Sequence, residues 1–271
     1  MRLSVVFGTR GTELQHLERI FHCLAKQTFP DFTVIVVVDN PSPPQLLNHP
    51  SLIPQYLKKN VRIFTADNSD FRPHSPGKAS YVRNFGIQQA DTELIQLFDE
   101  DNAFDETYLQ QAIQHYDEMK KQMKTEVVIC STLKWRDTDI IQNQGFSRFW
   151  YGQSRPKVNR LGNKAFGEIQ MFSGNGVLGS AQLFKAVGYD EQIARIAEDL
   201  DFTLSLHETG AKLWVYADLV VRHYERDKSR LEQARIGFPE QARQKARNRF
   251  LFVWKHGNVW QKTAFWVIGL P

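Results

Sequence analysis

Apolar positions along the chain switch between two periods. Leu3–Phe7 is a short apolar run closed by Gly8, and Thr33–Val38 is β-branched almost throughout, as in a strand buried on both faces. Between them, Thr12–Lys26 carries Leu14, Leu17, Ile20, Phe21 and Leu24 at helical spacing. Val61–Thr65 predicts a third strand, Gly77–Gln89 a helix and Glu93–Phe98 a fourth strand. Strands alternating with helices imply an α/β chain whose mostly parallel sheet is joined by right-handed crossovers. Ligands on such sheets bind beyond the carboxyl ends of the strands, so polar residues just after a strand carry the functional information.

Further on, Thr107–Lys124 has the pattern of a charged surface helix and Val127–Leu133 that of a strand. From Trp135 to about Gly167 the pattern loosens into polar, Gly-containing sequence with aromatics, which predicts a loop. Regular structure is expected again near Ser173. A helix follows over Glu198–Thr209, then strands over Leu213–Tyr216 and Leu219–Arg222, and a last basic helix over Pro239–His256. The chain shows no internal repeat and no low-complexity tract.

Composition narrows the class. Of 271 residues, 42% are hydrophobic and 24% charged, which argues against disorder, collagen and coiled coil. No stretch approaches the roughly 20 apolar residues of a spanning helix, and Met1-Arg2-Leu3-Ser4 leads straight into a strand, so no cleaved secretion signal is expected. Cys23 and Cys130 sit in apolar contexts and form neither a disulfide framework nor a metal cluster, which makes a reducing cytoplasm the expected home. The net charge of +4 is unevenly placed. Arg222 to Lys262 holds 11 Lys and Arg against 4 Asp and Glu, a local excess of +7, so the rest of the chain sums to −3. Phosphate groups, anionic lipid and nucleic acid are the partners such a segment permits.

Two nucleotide signatures are excluded. Gly8-Thr9-Arg10-Gly11-Thr12 lacks the G-x-G-x-x-G dinucleotide fingerprint, and Gly77-Lys78 lacks the preceding glycine and strand of a P-loop. Asp39 ends the second strand, where a carboxylate either accepts hydrogen bonds from a base or ribose or simply forms an Asp-Asn-Pro turn. Asp99 and Asp101, in Phe98-Asp99-Glu100-Asp101-Asn102, lie two apart at the end of an apolar strand and point the same way. Such a pair can hold a hard divalent cation bridged to a diphosphate; the plain alternative is a solvated acidic turn. Lys78, Arg83 and Asn84 on the preceding helix either neutralise a nucleotide or are ordinary helix surface. Ser173-Gly174-Asn175-Gly176 is either a close approach of backbone to ligand or a tight turn. Glu198-Asp199 opens a helical run, as a general base at a site edge or as dipole partners in a first turn. His223 is a metal ligand or, more commonly for a lone histidine, structural.

Taken in order, these pieces resemble the inverting family-2 glycosyltransferases with the GT-A fold. The carrying elements are Ser4-Val5-Val6, Gln27-Thr28-Phe29, Asp39, Lys78 through Arg83-Asn84 and Gly86, and Asp99-Glu100-Asp101. They continue with Ser173-Gly174-Asn175, Gly188-Tyr189-Asp190-Glu191, and Glu198-Asp199 leading into Asp201-Phe202, a match from Ser4 to about His223. The opening departs from the usual family pattern, with Gly8-Thr9-Arg10 where many relatives carry a proline and a tyrosine or asparagine. The resemblance implies a GT-A domain over 1–223, with a donor half to about residue 105 and an acceptor half from about 106, then a basic, aromatic helical extension over 224–271.

It also implies transfer of a sugar from a nucleotide-diphosphate donor to an acceptor hydroxyl, with inversion. Thr9, Asp39, Lys78, Arg83, Asn84, Asp99 and Glu100 would serve the donor, and Gly174, Asn175 and Glu198 the acceptor. Asp99, Asp101 and His223 would hold Mn²⁺ or Mg²⁺. Asp199 would be the base, assisted by Glu198. The acceptor is a glycan, a lipid-linked group or another hydroxyl, as in polysaccharide biosynthesis. The C-terminal segment either docks on the core or rests on the anionic inner face of the cell membrane. A sugar nucleotidyltransferase and a non-catalytic carbohydrate-binding relative are the rival readings. Nucleic acid is disfavoured, because the basic excess is confined to one segment without a recognition motif.

Overall fold

The computed structural model describes residues 1–11, 13–39, 52–66, 78–148, 154–193, 197–224 and 238–268. Its first half follows the hydrophobic pattern closely. Strands β1 (Leu3–Thr9), β2 (Phe32–Val38) and β3 (Val61–Thr65) pair in parallel, with helix α1 (Leu14–Ala25) crossing between the first two. Every residue of β2 is buried, as its β-branched run requires of a strand covered on both faces. Helix α2 (Lys78–Gln89) leads into β4 (Leu94–Leu97), which pairs in parallel with β1 on the other side. Gly86 lets α2 lie close on the sheet: a Cβ there would come within 2.6 Å of Val6.

The second half completes the same sheet. A two-residue strand, β5 (Asn102–Ala103), precedes helix α3 (Tyr108–Gln122) and strand β6 (Val127–Trp135). Short strands β7 (Ile141–Asn143), β8 (Phe146–Arg148) and β9 (Ser154–Pro156) follow, then β10 (Phe166–Ile169), β11 (Val177–Ser180), α4 (Ala181–Val187), α5 (Glu198–Glu208) and β12 (Lys212–His223). The strand order is β10-β12-β6-β11-β4-β1-β2-β3. Strand β11 runs antiparallel between β4 and β6, and β10 antiparallel on β12; the other pairs along that path are parallel. This is the α/β architecture of the GT-A fold.

Two expectations need correction, and one helix went unforeseen. The stretch from Trp135 to Gly167 is not simply loop: β7 pairs with the end of β6, and β8 pairs with β9. Strands of three residues are too short to display a period. The two strands expected around Tyr216 and Leu219 are one, β12, whose register against β6 shifts between Tyr216 and Val220. That irregularity places the exposed Ala217-Asp218 pair mid-strand, which interrupts the apolar run. Helix α4 was not anticipated, because seven residues carry barely two turns of pattern.

After β12 come two helices, α6 (Phe238–His256) and α7 (Val259–Ile268). Helix α6 docks on α5 through a buried polar network. The Lys255 ammonium reaches Asp201 at 2.8 Å and Asp190 at 3.1 Å. The His256 ring lies between Asp201, 2.7 Å from Nε2, and Glu208, 2.8 Å from Nδ1. A carboxylate thus faces each ring nitrogen of His256. Asp201 is fully buried, and Lys255 and His256 are the partners that its two carboxylate oxygens meet. Phe252 adds apolar contact with Met171 and Leu204. The docked arrangement of α6 is therefore the observed one. We expect His256→Ala to lower the stability by about 3 kcal/mol, because it strips a donor from a buried carboxylate. Urea denaturation followed by circular dichroism measures this, and an unchanged midpoint would show that the network contributes nothing.

Candidate active site

The carboxyl ends of β1, β2 and β4 face one side, and the candidate residues gather there. Thr9 closes β1 beside Val38, and the Asp39 amide donates to the Thr9 carbonyl at 2.7 Å. The Thr9 hydroxyl donates to Glu100 and accepts from the Gly11 amide at 2.8 Å. Burial raises the Glu100 carboxyl to about 7, with the neighbouring charges of Asp101 and Asp99 adding to the effect and the Thr9 hydroxyl opposing it. Three of the candidate donor residues, Thr9, Asp39 and Glu100, thus share one corner. Lys78 opens α2, but its side chain lies outside the described residues. The segment 40–51 after Asp39 also lies outside them.

Arg83 is the hub. It projects from α2 and donates to Asp99 at 2.9 Å and to Glu198 at 3.3 Å, while Asp199 stands 3.7 Å away, an ion contact too long for a hydrogen bond. Its guanidinium also lies 5.4 Å from the centre of the Tyr189 ring. Burial alone would lower the Arg83 pKa, yet Asp199, Asp99 and Glu198 together hold it well above its usual range. The carboxylates respond in the opposite sense. Burial raises Asp99 despite Arg83, and burial plus the Asp199 charge raises Glu198 to about 7. Three carboxylates around one guanidinium leave a negative excess, which a proton or a bound cation offsets.

Asn84, one residue along, is spent differently. Its amide donates to the Tyr189 carbonyl and to Glu191, both at 2.9 Å, and its oxygen accepts from the Tyr189 amide at 2.7 Å. It fastens the turn that follows α4 to helix α2.

Asp101 and His223 meet from distant parts of the sequence. The last residues of β12 pair with β5, His223 opposite Asn102, and the Tyr224 amide donates to the Asp101 carbonyl at 2.9 Å. This pairing brings His223 Nε2 within 3.3 Å of an Asp101 carboxylate oxygen. On its other side, His223 Nδ1 lies 3.1 Å from the Gln142 side-chain oxygen, and Trp135 stacks on the ring with centroids 5.9 Å apart. A carbonyl oxygen only accepts, so Nδ1 carries a proton and Nε2 is the atom turned to the carboxylate. Asn102 holds the turn, accepting from the Asp99 amide at 2.9 Å and donating to Asp101 at 3.2 Å. The three expected metal ligands do not converge on one point. Asp101 and His223 pair, Asp99 leans to Arg83, and among the described residues no group of three His, Cys, Asp or Glu side chains forms a metal cluster.

The residues expected on the acceptor side close the other flank. One carboxylate oxygen of Asp199, Oδ1, is buried without a hydrogen bond. Gly174 packs against it so closely that a Cβ would stand 2.4 Å from that oxygen. Asn175 is buried, and its side-chain oxygen likewise has no hydrogen-bond partner. Two neighbouring acids are structural. Asp190 caps its own turn through the Gln192 amide and binds Lys255, and Asp201 belongs to the α6 network. The bridging role of Arg83 and the support of His223 by Gln142 and Trp135 had no signal in the sequence.

This corner of a GT-A sheet has counterparts. The model of the family described as "Glycosyl transferase family 2" matches residues 4–188, more than half the chain. The chain belongs to glycosyl transferase family 2. No curated protein sequence matches it as a relative. Among solved structures, this family 2 chain is similar to Staphylococcus aureus TarS 1-349 in complex with UDP-GlcNAc, with a TM-score of 0.63 and 20% identity. The similarity covers 94% of this chain and 67% of that one. A further TarS structure matches at TM-score 0.58 and 21% identity over 98% of this chain, which spans only 45% of its length. GalNAc-T7, determined with UDP, GalNAc and Mn²⁺, matches at TM-score 0.63 and 14% identity over 83% of this chain and 44% of that one. At such identities the likeness establishes the fold. Among the described residues no helix is long and apolar enough to cross a membrane.

Proposed function

We propose that this family 2 chain transfers a sugar from a nucleotide-diphosphate donor to an acceptor hydroxyl, with inversion at the anomeric carbon. The observation that carries this reading is the Arg83 hub, which joins the diphosphate-side carboxylate Asp99 to the acceptor-side pair Glu198 and Asp199. Thr9, Asp39 and Glu100 would line the nucleoside corner, and Lys78 would reach the diphosphate. Asn84 would act indirectly, by holding the 189–191 turn. Gly174 and Asn175 would admit the acceptor beside Asp199. Asp199 would take the acceptor proton while the sugar is attacked from the face opposite the leaving group. Glu198, engaged by Arg83, would set the position and charge of that neighbour.

A divalent cation, Mn²⁺ or Mg²⁺, fits the Asp101–His223 pair. A carboxylate oxygen and an imidazole nitrogen face each other there at 3.3 Å, and such cations need few protein ligands when substrate phosphates supply the rest. Asp101 and His223 would hold it, with Asp99 alongside, and it would offset the charge gathering on the departing diphosphate. The acceptor class remains a glycan, lipid-linked or other hydroxyl compound. The test is a panel of nucleotide sugars, following release of nucleoside diphosphate to water with and without Mn²⁺, in the parent and in Asp101→Ala. Turnover of one donor class, strengthened by metal and reduced at least about tenfold in Asp101→Ala, is the expected result. No turnover of any donor would sink the reading, and equal rates with chelator would remove its metal component.

A further inference from the structure

Helix α7 turns its apolar face outward. Val259, Trp260, Thr263, Trp266 and Val267 fall within a sector of about 120° on a helix of 3.6 residues per turn. Val259 and Trp260 are 76% and 82% exposed, and Trp266 and Val267 are 54% and 77% exposed, whereas Phe265 on the opposite side is buried. The face continues onto α6. Phe250 stacks on Trp254 at 5.9 Å and meets the edge of Trp266 at 5.8 Å, leaving Trp254 57% exposed. Soluble chains rarely present such a contiguous aromatic surface without a partner.

Charge decides among partners. Residues 238–268 hold six Lys and Arg against one Glu. Lys255 is used internally, and Arg247 donates to the Gln192 carbonyl at 2.8 Å. Arg243 is exposed on the side of α6 that carries Trp254, and Lys262 lies 5.0 Å over the Trp254 ring. A twofold self-interface would set this cationic patch against itself, which like charges oppose. An anionic bilayer offers the complement to both features, with headgroup phosphates for the cations and a boundary layer where indole rings reside.

We propose that the α6–α7 pair is a membrane-docking surface for anionic lipid. Val259, Trp260, Trp266 and Val267 enter the headgroup–acyl boundary, and Arg243 and Lys262 meet the phosphates. Because Lys255 and His256 fasten α6 to Asp201, the surface is joined to the helix that begins with Glu198 and Asp199.

Vesicle sedimentation of the full chain tests this, with phosphatidylcholine alone and with about one-third phosphatidylglycerol. The parent should sediment with the anionic vesicles at low salt and be released as salt rises. Trp260→Ser with Trp266→Ser should weaken partitioning at least about tenfold, and so should Arg243→Gln with Lys262→Gln. Both pairs should keep the circular dichroism spectrum and the donor hydrolysis rate in solution, which separates failure here from failure of the transferase reading. The proposal is overturned if the parent ignores anionic vesicles, or if either folded variant pair binds them as the parent does. It is equally overturned if light scattering shows self-association through this face, abolished by the tryptophan pair, without vesicle binding.

Discussion

Asp199→Asn should cut donor turnover at least about 10²-fold while leaving donor binding nearly intact. An acceptor hydroxyl, or water in its place, is a poor nucleophile at neutral pH and needs a proton acceptor within reach during attack. Asp199 presents a buried carboxylate oxygen without a hydrogen bond, and Arg83 stands back from it at 3.7 Å. The competing acids are committed elsewhere: Glu198 to Arg83, Asp190 to its turn and Lys255, and Asp201 to the α6 network. Asparagine keeps the shape beside Gly174 but cannot take a proton. The measurement is release of nucleoside diphosphate, with donor affinity from calorimetry as the companion. Near-parental turnover in a folded, donor-binding variant would place the base elsewhere.

Arg83→Met should be as damaging, and should reduce donor affinity as well as turnover. Removing the guanidinium leaves Asp99, Glu198 and Asp199 without the cation they share, and electrostatic groups at such centres contribute about 10²–10³-fold to rate. Arg83→Lys should recover only part of the loss, because an ammonium cannot reproduce the fork that spans Asp99 and Glu198. Groups that act as a unit lose function non-additively. The Arg83→Met, Asp199→Asn double variant should therefore turn over no more than a few-fold below the worse single variant. Full multiplicative loss, or Arg83→Met within a few-fold of the parent, would contradict the shared role.

The first four strands were legible because each of their signals is local. A buried parallel strand such as β2 writes its environment directly into consecutive β-branched residues, and Asp99 and Asp101 stand where a short apolar strand stops. What escaped depends on pairing across long separations. Nothing near His223 announces that β5 will draw it to Asp101, or that Gln142 on a three-residue strand will hold its ring. The family resemblance marks Arg83, but its bridge from Asp99 to Glu198 shows only once α5 is placed beside α2. Asp201 looked like part of an acidic motif, but its partners Lys255 and His256 lie 54 and 55 residues away. The reversal of β11 is equally silent, since an apolar run carries no mark of its direction.

That reversed strand governs the order in which the molecule can be built. Strands β1 to β4 are complete once residue 97 has been made, but the edge of β4 stays open until Val177–Ser180 supply its second partner. At about 5–20 residues per second, a ribosome needs roughly 4–16 s to cover that interval. All four residues of β4 are buried in the finished sheet and three of them are apolar, so the nascent chain carries a mostly apolar, unpaired edge throughout. When β11 arrives it joins β4 on one side and β6 on the other, and so welds the two halves in a single step. The segment that holds β1 to β4, although contiguous in sequence, is for this reason a poor candidate for existence on its own.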